Sequence, residues 1–187
     1  MAFRQSISIR SLKPNVTRED ALRHFSGTFP WANWFHGPVQ SIADLYIPFR
    51  LFAVKVVNRG REESHIFGVD AAQGVLDPYE FQTPPAPADL ISLDTRNVLP
   101  ASLDPREAKA LLLAKIQRLV FARGFFRLRD ARFDAVEIPG QICVPYWVCF
   151  RGVEVQLRVS VLDAVRRRPE GAKVRRLIEE WLRSNSC

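Results

Sequence analysis

"QICVPYWVCF", residues 141–150, has the composition of a buried strand, yet a proline, Pro145, stands in the middle of it. Apolar, aromatic and β-branched residues favour strands, whereas proline lacks the N–H that the interior of a sheet uses. The same grouping of bulky residue, proline and aromatic residue occurs at Pro48, in "LYIPFRLF" at residues 45–52. We expect each proline to lie at the start of a strand, at a sheet edge or at a bulge, where the missing N–H does no harm. The alternative is that each proline–aromatic corner forms the rim of a binding groove.

The two proline stretches have similar neighbours along the chain. A helical pattern precedes each one, "REDALRHF" at residues 18–25 and "REAKALLLAKIQRLVF" at residues 106–121. A second strand that ends in aspartate–alanine follows each one, at Asp70 and at Asp163. Short apolar patterns also recur by chance. The repeated order nevertheless predicts an α+β protein of two duplicated units, each a helix packed on an antiparallel β-sheet.

Three parts of the chain differ in composition and pattern. Residues 1–76 hold the first predicted unit, and residues 105–187 hold the second unit together with a C-terminal amphipathic helix. Residues 77–104 lie between them and include the run "PPAP" at residues 84–87. Because such prolines favour extended backbone, this middle part is predicted to be a stiff, Pro-rich linker.

Local signals mark where helices begin. Thr17 and Asp20 have the spacing of a capping box, in which each residue accepts a hydrogen bond from the other's backbone. At the second predicted helix, Asp104 is suited to cap, Pro105 to the first helical position and Glu107 to the positive helix end. The last helix has one apolar stripe, formed by Val174, Leu177, Ile178, Trp181 and Leu182.

The composition is that of an ordinary globular protein with a basic excess. Of 187 residues, 47% are apolar and 25% are charged, and the net charge is +7. No apolar run is long enough to span a membrane, and the start "MAFRQSISIR" has no secretory signal pattern. These features predict a cytoplasmic protein, and the positive charge favours acidic partners in general.

The stretch "HIFGVDAAQGVL", residues 65–76, resembles the PepSY group of small bacterial domains. In that group a hydrophobic strand often ends in aspartate–alanine, a variable pair and a glycine, which here correspond to residues 69–74. The resemblance implies a helix packed on an antiparallel sheet, with a binding or inhibitory role and no chemistry. The same order of elements also suits a cystatin-like sheet.

The sequence contains no pattern that is typical of a catalytic or metal centre. His24, His36 and His65 have no second histidine or cysteine at ligand spacing, so we expect no metal site. There is no nucleophile motif and no glycine-rich phosphate loop, so we expect neither enzyme activity nor a cofactor. Cys143 and Cys149 lie in the apolar run and are predicted to fill the core.

Asp70 and Asp163 are the one pair of acidic residues that the repeat places alike. Two such carboxylates can act as an acid/base pair if they meet across a pseudo-two-fold axis. An aspartate at a strand end more often accepts hydrogen bonds from its own turn backbone. We therefore predict a structural role for both.

Two groups of residues are candidates for a binding surface. Trp31, Trp34 and Phe35 lie close together in "FPWANWFHG", residues 29–37; these aromatics are either core or an exposed anchor for a partner. The second group is basic and is either a solvated face or an anion-binding site. Its members are Arg166, Arg167, Arg168, Arg175 and Arg176.

The sequence therefore predicts a non-enzymatic accessory or binding subunit that docks on another protein through an aromatic and basic surface. The first alternative is a nucleic-acid-binding protein that uses the basic C-terminal helix, although no nucleic-acid-reading motif is present. The second alternative is a protein that binds a small apolar ligand in a pocket under a helix.

Overall fold

The computed structural model describes residues 6–27, 38–58, 60–122, 132–152 and 158–184. These residues form helices α1 (Arg18–Ser26), α2 (Pro105–Ala122) and α3 (Ala172–Ser184), with a 3₁₀ turn at Pro87–Asp89. The strands are β1 (Ile7–Leu12), β2 (Val39–Asn58), β3 (Arg61–Asp70), β4 (Tyr79–Phe81), β5 (Leu90–Thr95), β6 (Arg132–Arg151), β7 (Arg158–Asp163) and β8 (Arg168–Pro169).

The strands join in one mixed sheet. Neighbouring strands follow the order β4-β3-β2-β6-β1-β5, while β7 pairs with β6 and β8 pairs with β7. The pairing of β1 with β6 is parallel, and the hairpin pairings of β2 with β3 and of β6 with β7 are antiparallel. Strand accounts for 49% of the structure and helix for 26%, so the protein is mostly β.

The predicted fold class, an α+β protein of two helix-on-sheet units joined by a Pro-rich linker, is therefore wrong. The reason lies in the two long strands. Pro48 and Pro145 lie near the middle of 20-residue strands rather than at strand starts, so β2 and β6 each continue far enough to pair with further strands. Residues 77–104 contribute β4 and β5 to the same sheet, which a linker would not do.

The chain divides into two compact units that are discontinuous in sequence. One contains residues 1–47, 91–99 and 143–187, and the other contains residues 48–90 and 100–142. We call them the α1 unit and the α2 unit after the helix that each contains. Strands β2 and β6 each contribute residues to both units.

The hairpins of the two units have the same register. Phe49 is paired with Asp70 in the α2 unit, and Tyr146 is paired with Asp163 in the α1 unit. The carbonyl of the proline before each aromatic residue accepts a hydrogen bond from the alanine after each aspartate, at 2.7 Å for Pro48 and at 3.1 Å for Pro145. Corresponding positions in the two hairpins can therefore be compared directly.

Each helix begins beside the end of a hairpin. The Ala164 carbonyl accepts from the N–H groups of Asn15 and Val16, directly before the cap of α1. The Ala71 carbonyl likewise accepts from Ser102 and Leu103, directly before the cap of α2. A helix that comes early in the chain thus begins on the later hairpin, and the later helix begins on the earlier hairpin.

The predicted helix caps are confirmed. Thr17 and Asp20 form a capping box at α1. At α2, Asp104 Oδ1 accepts from the N–H groups of Arg106 and Glu107, while Glu107 Oε2 accepts from the Asp104 N–H at 3.1 Å. These bonds satisfy N–H groups that have no partner within the helix.

A small apolar core lies between helix and hairpin in each unit. In the α1 unit it contains Ala21, Phe25, Cys149 and Leu162, and in the α2 unit the corresponding positions are Ala108, Leu112, Phe52 and Val69. Cys143 and Cys149 are both buried free thiols, as predicted. Helix α3 buries the predicted stripe through its first members, Val174, Leu177 and Ile178.

Candidate anion-binding site

The five predicted anion-binding arginines lie in one region of the α1 unit. Arg166 and Arg167 belong to the turn between β7 and β8, Arg168 begins β8, and Arg175 and Arg176 lie in the first turns of α3. We call these five residues the basic surface. The other predicted contacts, Trp31, Trp34 and Phe35, lie outside the residues that the structure describes.

Arg167 has an unusual backbone. Its φ is 57°, and it is the one residue other than glycine with a positive φ among those that the structure describes. For an L-residue with a Cβ this left-handed conformation costs about 1–2 kcal/mol. The corresponding turn of the α2 unit has Gly74 at this position, with a φ of 68°. The Arg167 side chain is exposed.

The arginines of the basic surface differ in how their charge is balanced. Arg168 Nε lies 3.4 Å from Glu170 Oε1, and Arg176 Nε lies 2.7 Å from Glu180 Oε1. Neither Arg167 nor Arg175 has a carboxylate within ion-pair distance in the described part of the chain. These two exposed guanidinium groups therefore leave uncompensated positive charge on the surface.

The two aspartates of the hairpin ends bind their own turns, which confirms the structural role predicted for them. Asp70 Oδ1 accepts from Gln73 and Gly74, and its Oδ2 accepts from Leu76, all at 2.7–2.9 Å. Asp163 Oδ1 accepts from the N–H groups of Val165 and Arg166, both at 2.8 Å. Because Oδ1 of each aspartate accepts from backbone N–H groups of its turn, the carboxylates are placed to hold the turns.

Asp163 is less well satisfied than Asp70. It is completely buried, and its Oδ2 has no hydrogen-bond partner among the described residues. Burial raises the pKa of the Asp163 carboxyl above its usual range, although the turn N–H groups and the nearby Arg166 and Arg168 charges oppose this effect. Ionisation of Asp163 is therefore less favourable in the folded protein than in the unfolded chain.

A cleft of about 230 Å³ opens within the α1 unit, beside the basic surface. Polar residues of α1, β6, β7 and α3 line the cleft, together with the residue that follows β8. Val159 and Val161 of β7 add an apolar part of the wall. We call it the Arg151 cleft. Its main lining residues are His24, Phe25, Arg151, Ser160, Glu170 and Arg175.

Arg151 is the central residue of this cleft. It is only 7% exposed, and its Nη2 donates to the carbonyl of Phe25 in the last turn of α1. A cation is favourable there because the carbonyl end of a helix carries partial negative charge. Sequence analysis missed Arg151. The available signal was its alignment with Val54 once Pro145 is matched to Pro48.

Glu170 is an acidic member of the lining. Its side chain is only 14% exposed, and burial raises the pKa of its carboxyl, with Arg168 acting against this effect and the Asp163 charge acting in the same direction. Its backbone N–H donates to the carbonyl of Val161 at 2.9 Å, which fixes it at the edge of β7. Its ion pair with Arg168 partly compensates its charge.

Comparison with known proteins finds no matching family model, no matching curated protein and no matching solved structure. The resemblance to PepSY-like and cystatin-like domains therefore stays a prediction. None of the helices in the described ranges is both long enough and apolar enough to cross a membrane. Those ranges also contain no cluster of three histidine, cysteine or acidic side chains that could hold a metal ion.

Proposed function

We propose that the chain is a non-enzymatic binding subunit that docks on another protein through its basic surface. The partner would present carboxylates that pair with Arg167 and its neighbours. Trp31, Trp34 and Phe35 remain predicted contributors of apolar contacts to the same docking. A cytoplasmic location, as the sequence predicts, suits this role.

The observation that carries this proposal is the conformation of Arg167. The residue is exposed, uncompensated and held in a backbone conformation that glycine adopts without strain. Strain that the fold does not need is typical of sites that position a side chain for binding. The turn would fold at least as well with glycine, as the Gly74 turn does, so the arginine side chain itself is the feature to explain.

The distribution of acidic residues favours a protein partner over a nucleic acid. On α3, Glu179 lies 3.6 Å from Arg183, and Glu180 pairs with Arg176, so carboxylates alternate with arginines on the exposed face. A nucleic-acid backbone would bring its phosphates close to these carboxylates, whereas the surface of a protein can offer charges of both signs. A mixed surface of this kind suits protein docking.

The test compares two double variants that change the net charge equally. Arg167→Gly with Arg176→Gln removes two charges from the basic surface, and Arg61→Gln with Arg96→Gln removes two exposed charges elsewhere. Tagged proteins are cross-linked in extract of the native host, and captured proteins are quantified by mass spectrometry. We expect specific protein partners to be lost with the first pair and retained with the second.

Oligonucleotide binding is measured in parallel over a range of salt concentrations. Tight, steeply salt-dependent binding of DNA or RNA that the first pair abolishes would contradict the proposal and support the nucleic-acid alternative. Equal capture of every partner by both double variants would also overturn it. Thermal unfolding of all variants establishes that each is folded.

A further inference from the structure

The Arg151 cleft is polar at positions where the other hairpin is apolar. The strand register pairs Arg151 with Arg158 and Cys149 with Ser160. The same register in the α2 unit pairs Val54 with His65 and Phe52 with Phe67. Arg151 thus corresponds to Val54, which is completely buried, and Ser160 corresponds to Phe67, which packs on the core.

The facing helix shows the same difference. His24 directly precedes the buried Phe25 in α1, as Leu111 directly precedes the buried Leu112 in α2. Leu111 fills space beside the Gly74 turn: a Cβ added to Gly74 would lie 2.5 Å from Leu111 Cδ1. His24 instead lines the Arg151 cleft and is exposed. Three apolar positions of one unit are therefore polar in the other.

Polar residues at these three positions make the α1 unit less stable than apolar residues would. We therefore expect the polar groups to have a role in binding. Burying an apolar side chain stabilises a fold in proportion to the area removed from water, and the α1 unit forgoes part of that stabilisation at these positions. A buried guanidinium also loses hydration, which its hydrogen bonds within the protein, including the one to the Phe25 carbonyl, have to replace. The α2 unit shows that the same local arrangement folds with an apolar filling.

We propose that the Arg151 cleft binds a small organic carboxylate. Arg151 and Arg175 supply two positive charges to the lining, against one from Glu170, whose carboxylate is paired with Arg168. Arginine suits a carboxylate because its planar fork can donate two parallel hydrogen bonds. Ser160 can donate a further hydrogen bond through its hydroxyl group.

The apolar part of such a ligand would lie against Phe25, Val159, Val161 and Pro169, which complete the lining. The volume of about 230 Å³ is below the range of drug-sized ligand pockets, so the ligand is small. Arg175 also belongs to the basic surface, but the docking test changes Arg167 and Arg176 whereas the test of this inference changes Arg175, so the two proposals can fail separately.

The test uses the full chain with hexanoate and benzoate as probes, and hexanol and benzyl alcohol as neutral counterparts of similar shape. Binding is measured by calorimetry and by NMR shifts of residues in β7. We expect the carboxylates to bind at millimolar concentrations or below and the alcohols to bind far more weakly. Arg175→Gln, at an exposed position, should weaken carboxylate binding about tenfold, as loss of one charge-assisted contact predicts.

Arg183→Gln is the matched control, because Arg183 is an exposed arginine on the same helix that does not line the cleft. It should bind the carboxylates as the wild type does. Ser160→Phe, which copies Phe67, should fill the cleft, keep the protein folded and abolish binding. Failure of both carboxylates to bind the wild type, or equal binding of acids and alcohols, would overturn the proposal. Equal weakening by Arg175→Gln and Arg183→Gln would overturn it as well, and so would binding of inorganic phosphate alone.

Discussion

Arg167 holds, with a φ of 57°, the left-handed backbone position that Gly74 holds with a φ of 68° in the corresponding turn. The two turns follow aspartates in the same register, and both donate backbone N–H groups to the carboxylate of that aspartate. Their difference is therefore in the side chain and in what surrounds it. Gly74 lies under two leucines, while Arg167 lies at the surface.

Gly74→Ala is expected to be strongly destabilising. Its Cβ would lie 2.5 Å from Leu111 Cδ1 and 2.8 Å from Leu103 Cδ1, so both leucines must move, and the left-handed backbone adds its own penalty. Together these effects should lower the free energy of unfolding by about 2–4 kcal/mol. Urea denaturation measures the change. A loss below about 1 kcal/mol would show that the close packing of this turn does not matter to stability.

The two turn aspartates should respond differently to amide substitution at neutral pH. In Asp70→Asn an NH₂ group replaces an oxygen that accepts a backbone N–H. The free energy of unfolding of this variant should therefore be lower by about 1.5–3 kcal/mol. In Asp163→Asn the NH₂ group can replace Oδ2, which has no partner in the described part of the chain, so its cost should be less than half as large. Equal costs in urea denaturation would contradict this account of the two sites.

The ionisation of Asp163 should contribute to the pH dependence of the free energy of unfolding. Because burial raises its folded-state pKa above the ordinary value of 3.8, the folded protein binds more protons than the unfolded chain between these two values. The contribution of Asp163 to the free energy of unfolding therefore falls as the pH rises through that window. Glu170, whose pKa is also raised, contributes with the same sign.

Asp163→Asn isolates this contribution. The stability of the variant relative to the wild type should improve as the pH rises from about 4 through the raised pKa and stay constant above it. Unfolding free energies at a series of pH values measure the difference. A difference that is constant over the whole range would mean that the pKa of Asp163 is not raised by burial.

The two described cysteines should be unreactive in the folded protein. Both are buried, and burial raises the pKa of the Cys143 thiol to about 12 and also raises that of Cys149. Since the thiolate is the reactive form, a Cys187→Ser variant should react with a thiol reagent only on unfolding. Rapid modification of either thiol in native buffer would show that the sheet opens locally around it.

Features that depend on neighbours in the sequence could be predicted, and these include the capping residues Thr17 and Asp104 and the turn role of Asp70. Their hydrogen bonds close over only a few residues, so composition and spacing suffice. The equivalence of Pro48 and Pro145 was also visible in the sequence, because both sit in the same local pattern.

The sheet itself could not be predicted in this way. Whether a strand ends at Pro48 or continues depends on the strands that pair with it. β2 pairs with β6, and β6 pairs with β1, and these partners are far apart in the sequence. The same holds for the Arg151 cleft, where residues from α1, β7 and α3 meet. Arg151 becomes conspicuous only when it is compared with Val54, which corresponds to it once Pro145 is matched to Pro48.

The most direct test of the docking account is to measure stability and partner capture together for Arg167→Gly alone. Glycine relieves the left-handed strain but gives the unfolded chain more freedom, so the net gain in unfolding free energy should be about 0.5–1 kcal/mol. Capture of the protein partner should fall in the same variant. A variant that is more stable and binds less well would show that Arg167 serves docking. A variant that is less stable, or one that captures the partner as well as the wild type does, would contradict the account.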